Sequence, residues 1–77
     1  MKVTLENTTK IVTLTINGQS VPARVWEGVT ERGIRCHAYV TRIAVHEDDD
    51  ASQFEEELKE QRRPSAAIEA IPLRLIV

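Results

Sequence analysis

Val12, Leu14 and Ile16 alternate with Thr13 and Thr15. A period of two built from β-branched residues is the pattern of a half-buried strand, and it predicts one over residues 10–17. Asn17-Gly18 follows. That dipeptide supplies the two positive-φ positions of a type I′ turn and predicts a tight hairpin. A two-residue loop sets Ile16 against Gln19, Leu14 against Val21 and Val12 against Ala23. One face then carries Val12, Leu14, Ile16, Val21, Ala23 and Val25. The other carries Thr13, Thr15, Ser20, Pro22 and Arg24. Turn chemistry and hydrophobic pattern agree on this register. Pro22 has no N–H to give to a ladder, so the chain there is expected at an edge or beside a bulge.

A second hairpin is expected at Thr30-Glu31-Arg32-Gly33, a type I turn with Gly33 in the left-handed position. Residues 34–45 then read as a long third strand. One parity gives Ile34, Cys36, Ala38, Val40 and Arg42; the other gives His37, Tyr39, Thr41, Ile43 and Val45. Neither is cleanly apolar, which fits a sheet covered in part on both faces, or a bulge near Thr41 that exchanges them. Residues 50–63 read as a helix, with Asp48, Asp49 and Asp50 at the positive end of its dipole and Arg62 and Arg63 at the negative end. Asp50 or Ser52 caps it, and Ser52 with Glu55 has capping-box spacing. Phe54 and Leu58 are its apolar anchors. Pro64 ends it. Residues 65–70 are a helical turn or a connector. Leu73, Leu75 and Val77 alternate with Arg74 and Ile76 and predict a final strand. The expected fold is α+β: a small antiparallel sheet with one helix packed on a face, in the order β-β-β-α-β.

The chain has 77 residues, and 42% are hydrophobic and 29% charged. This suits a single globular domain over residues 1–77, which buries only about 60% of the surface its unfolded chain exposes. So small a core leaves little room for a deep catalytic cleft. Cys36 is the one cysteine. It makes no intramolecular disulfide and no cysteine-based zinc cluster, which suits a reducing cytoplasm. No segment is apolar enough for a signal peptide or a membrane span. The net charge of −2 hides an asymmetry. Residues 1–45 hold six bases and three acids, whereas residues 46–77 hold nine acids and four bases. Such a division concerns partners more than fold.

Candidate chemistry is sparse. Cys36 and His37 are adjacent, so on a strand they point to opposite faces, and Cys36 and His46 lie roughly 33 Å apart along an extended strand. That geometry favours neither a transition-metal site nor a Cys-His nucleophile pair. Glu47-Asp48-Asp49-Asp50 lacks the spacing and the glycine of an EF-hand and reads as a solvated helix start. Gly18, Gly28 and Gly33 are too widely spaced for a phosphate-binding loop. No metal, cofactor or catalytic residue is therefore assigned, and a non-enzymatic role is expected.

Two surfaces stand out. Arg24, Arg32, Arg35 and Arg42, with Trp26 and Tyr39 among them, have the composition of a sheet that stacks and neutralises single-stranded nucleic acid. The eight acids of residues 47–60, against Lys59 alone, oppose that reading. Trp26 falls opposite the Val12/Leu14 face, near Ala38 and Cys36. There it either covers a second small core or serves as an exposed anchor, and tryptophan is enriched among interface hot spots. The acidic helix face, with Glu55, Glu56, Glu57 and Glu60, suits a basic partner.

The segments Val21-Pro22-Ala23-Arg24-Val25-Trp26-Glu27-Gly28, Gly33 through Thr41-Arg42-Ile43-Ala44-Val45, Phe54-Glu55-Glu56-Glu57-Leu58 and Ala70-Ile71-Pro72-Leu73-Arg74-Leu75-Ile76 resemble small proteins carried in bacterial phage and prophage regions. The resemblance covers most of the chain. It implies an accessory protein that acts by binding host proteins, and it transfers no functional residue. The expectation is an interaction protein that binds a protein partner, or itself as a symmetric dimer, through the sheet face or edge near Trp26 and the acidic helix. Arg24, Trp26, Glu55, Glu56 and Glu60 are the candidate contact residues. The alternative is a nucleic-acid-binding sheet using Arg24, Arg35 and Arg42.

Overall fold

The Asn17-Gly18 turn forms with φ of 50° and 79° at its two residues, as a type I′ hairpin requires. It joins β1 (Val3–Ile16) to β2 (Gln19–Thr30). Ile16 pairs with Gln19, Leu14 with Val21 and Val12 with Ala23, the register expected from the pattern. In this computed structural model, which describes all 77 residues, β3 (Arg35–Val40), α1 (Ala51–Leu58), α2 (Ala66–Glu69) and β4 (Arg74–Ile76) follow. The second turn also forms as expected. Gly33 has φ of 81°, and its N–H donates to the Thr30 carbonyl at 2.9 Å.

The sheet has the order β3-β2-β1-β4. β1, β2 and β3 are antiparallel, but β4 runs parallel to β1. The sheet is therefore mixed, not the antiparallel one expected. The reason is the second helix. α2 carries the chain back across the sheet between two segments that lie beside β1. Arg62 pairs with Thr8 there in the parallel sense, and residues 74–76 do so further along.

Two helices form where one was expected, and the shorter one fills the core. Val12, Leu14, Ala23 and Val25 are buried beneath Ile68 of α2, and Ile71 and Leu75 complete the cluster. Burying one such aliphatic side chain contributes roughly 1.5–3 kcal/mol. α1 buries none of its residues, and Phe54 and Leu58 are only half-buried. Ile16, expected on the apolar face, is exposed, because it lies at the turn beyond the reach of α2.

Three boundaries also move. β1 begins at Val3, earlier than its alternation indicates. The third strand stops at Val40, where the pattern continues to Val45. The last β2–β3 pair is Arg24 with Val40. Two residues further the register would set Arg42 opposite Pro22, which has no N–H to give. Pro22 thus stands at a local edge of β2, as its chemistry demands. The helix ends at Leu58 with Lys59 as its C-cap, so Arg62 and Arg63 do not serve its dipole. Asp50 is the N-cap, accepting from the N–H groups of Ser52 and Gln53. The Ser52–Glu55 box does not form, because the Ser52 hydroxyl donates to Asp50 instead.

β1 is broken by a wide bulge. Asn7 pairs with Trp26 and Ile11 with Arg24, so three residues of β1 oppose Val25 alone. Thr8, fully buried, repairs the gap: its hydroxyl donates to the Val25 carbonyl, and Arg24 Nη1 donates to the Thr8 carbonyl at 3.0 Å. Beyond the bulge the strands close tightly at Gly28, where a Cβ would stand 1.8 Å from the Thr4 carbonyl oxygen. Gly28→Ala must push the strands apart. We expect it to destabilise the fold by about 1–3 kcal/mol in urea denaturation. An unchanged midpoint would show that the strand pair yields without cost.

Candidate functional site: two hollows divided by Trp26

Alternation along β2 turns Arg24 and Trp26 to the face opposite Val25, and the register sets Asn7 and Ala38 beside the indole. The core helix α2 does not reach this face. After β3, residues 41–43 bend across it and bring α1 near the indole. The Asn7 side-chain amide donates to the Leu58 carbonyl at 2.9 Å, which tethers the end of α1 there. The contact is slight, and Trp26 stays half-buried.

The indole and Asn7 form a wall between two hollows. The first, of about 250 Å³, is lined by Arg24, Val40, Arg42, Ile43, Leu58 and Gln61, besides the shared wall. The second, of about 470 Å³, takes Glu6, Glu57, Glu60, Gln61 and Arg62. One hollow is thus basic with an apolar lining, and its neighbour is mainly acidic. The division follows the chain's charge asymmetry. Arg24 and Arg42 lie outside all four of the chain's ion pairs. Asn7 is buried, and its Oδ1 has no hydrogen-bond partner.

The expected contact residues are therefore gathered only in part. Arg24, Trp26 and Glu60 lie around the two hollows. Glu55 and Glu56 are exposed on α1 and line neither, and Glu56 pairs with Lys59 at 3.2 Å. Of the arginines proposed for nucleic acid, Arg24 and Arg42 share a hollow. Arg35 does not, because it pairs with Val29 and shares the α2 side of the sheet. Cys36 and His37 take opposite faces, and His37 Nε2 lies 3.2 Å from the Tyr39 hydroxyl. No cluster of three or more His, Cys, Asp or Glu side chains is placed to hold a metal ion.

The second hollow is backed by a charged clasp that the hydrophobic pattern does not reveal. Glu6 and Glu27 face each other across β1 and β2. Two like charges so placed repel. The Arg62 guanidinium enters between them, 2.8 Å from Glu27 and 3.2 Å from Glu6. Glu27 also accepts from the Ser65 N–H at 2.7 Å and the Ser65 hydroxyl at 2.9 Å. Ser65 is in turn the N-cap of α2. Partial burial pushes the Glu27 carboxyl up, but the Ser65 N–H and hydroxyl and the Arg62 guanidinium outweigh it and hold it below the usual range. The only signal for this clasp in the sequence is a glutamate within an apolar strand, which has no meaning until Arg62 is placed.

No family model, curated protein or solved structure matches the chain. No helix is long and apolar enough to cross a membrane.

The clasp makes a pH prediction. A carboxyl depressed in the folded state contributes stability above its unfolded pKa of about 4.3, and that contribution is lost as the pH falls through the lower folded value. Glu27→Gln is expected to lose about 2 kcal/mol at pH 7, the scale of hydrogen bonds to a charged group. The gap to the parent should narrow toward pH 3 as the parent's Glu27 takes up a proton, while Asp50, also depressed by its cap bonds, is common to both and cancels. Urea midpoints at the two pH values measure this, and a gap that stays constant would remove the carboxylate's charge as the cause.

Proposed function

We propose that this chain is a non-catalytic interaction module that binds a protein partner at the Trp26 face. The observation that carries the reading is the indole itself. A tryptophan at the centre of a sheet face stands half-buried between a basic and an acidic hollow. Indoles in such settings supply large contact area at small entropic cost, and they dominate interface energetics when a partner buries them. The two hollows would orient that partner by charge. The single Cys36 suits work in a reducing cytoplasm. An accessory role in phage or prophage biology, acting on a host protein, agrees with this reading.

A second reading rests on one observation. Arg24 and Arg42 share a hollow with Trp26, a combination that stacks a base and neutralises a phosphate. Glu57 and Glu60, across the same indole, weigh against it.

Affinity capture from bacterial lysate, with and without nuclease, compares the parent with Trp26→Ala. The variant is first checked for its fold by circular dichroism. A stoichiometric protein that survives nuclease and dissociates at least about 30-fold faster from Trp26→Ala is expected, equivalent to about 2 kcal/mol. Equal retention by the folded variant would remove Trp26 as the anchor. A catch lost on nuclease treatment would favour the nucleic-acid reading.

A further inference from the structure

The two long sides of the sheet end differently. On the β1 side the bulge at Thr8 and residues 13–15 are occupied, whereas Val3–Glu6 lacks an outer partner. The Thr9 N–H donates to Arg62 and the Arg62 N–H to Asn7, both at 3.1 Å, and the Thr13 N–H donates to Leu73 at 2.7 Å. The last strand there is only three residues long and follows Pro72, so it offers little edge of its own. On the β3 side nothing covers the edge. Arg35–Val40 pairs with β2 through six consecutive residues with no bulge, and it contains no proline. Residues 41–45, which carry the alternation of a strand, have no hydrogen-bonded backbone group. Natural sheets blunt such edges with bulges, prolines or covers. The β1 side has a bulge and Pro72, whereas β3 has neither a bulge nor a proline.

The charge of this edge selects its occupant. Arg35, His37 and Arg42 lie on or just beyond β3, and Arg32 lies in the turn before it. No acid occurs in residues 32–46. None of these arginines enters an ion pair. Pairing β3 with β3 of a second copy would set two such basic strips side by side, and like charges across strands repel. A segment rich in Asp or Glu would neutralise them. The edge also offers carbonyl acceptors as well as N–H donors. A phosphate backbone can answer only the donors, whereas an extended peptide answers both.

We infer that the free edge of β3 takes up an extended acidic segment of a partner protein as a fifth strand, with Arg35 as the charge contact. This surface is the edge of the sheet and not the Trp26 face, so Trp26→Ala should leave it intact and its failure leaves the Trp26 reading standing.

The test uses the full chain, isotope-labelled for NMR, and a ten-residue peptide alternating Glu with Val and Thr. Shift changes are expected to centre on the amides of residues 35–40, with slower hydrogen exchange on the outward-facing ones. Methylating alternate peptide nitrogens, which removes strand pairing without changing charge, should weaken binding at least about tenfold. Arg35→Gln and a Lys-for-Glu peptide should each weaken it, and salt should lower the affinity throughout. Arg35 is exposed, so its variant should keep the fold. Absence of binding would overturn the inference. So would indifference to methylation, which marks charge attraction alone, or equal binding of the same amides by an oligonucleotide of matched charge. Edge shifts that appear without peptide and vanish on dilution would assign the edge to a second copy and overturn it too.

Discussion

The Glu27 carboxylate sits at the junction on which the rest of the molecule depends. Beside it, across the hairpin, stands Glu6, and the two like charges repel unless a cation lies between them. Arg62 supplies that cation from 35 positions along the chain. The same carboxylate receives both polar groups of Ser65, and Ser65 caps the helix that delivers Ile68 to the core. A repulsion built into β1 and β2 is thus relieved only when the C-terminal segment docks. Docking directs Arg62 along the bulge of β1 and α2 over the apolar face. β4 then lies beside residues 13–15 of β1, where it runs parallel.

That arrangement covers the two faces unequally. α2 closes the Val12/Leu14 side with four residues. The longer helix α1 lies over the Trp26 side, but one side-chain bond from Asn7 holds its end and none of its residues is buried. Its acids make a solvated helix, so it carries charge to the site rather than apolar cover. Eight of 77 residues are buried in all. Beside so small a core, the half-buried indole stands between hollows of opposite charge.

The hairpin could be read from residues alone. Asn17-Gly18 demands a particular backbone geometry, and the alternation around it admits one register, because a slip of one residue would turn the core outward. Gly33 and the Asp50 cap were equally legible, since each acts within a few residues of itself. Cys36 and His37 fall on opposite faces for the same local reason. Trp26 was placed correctly across from the Val12/Leu14 face by parity, but parity does not say which helix covers a face or how closely.

What only the tertiary structure decided involves residues far apart in sequence. The bulge at Thr8 is written in no turn motif; it exists because Arg62 offers the strand another partner. The third strand stops at Val40 because Pro22, about twenty residues earlier, withholds the next N–H. Arg62 and Arg63 have the composition of a helix end, yet Arg62 is drawn away by two glutamates it could not be known to meet. The short α2 outranks α1 in the core because burial depends on where a helix lands, not on its length. Local chemistry therefore determined the turns, the caps and the face of each side chain. Long-range charge pairing determined the path of the chain between them, and with it the opening around Trp26.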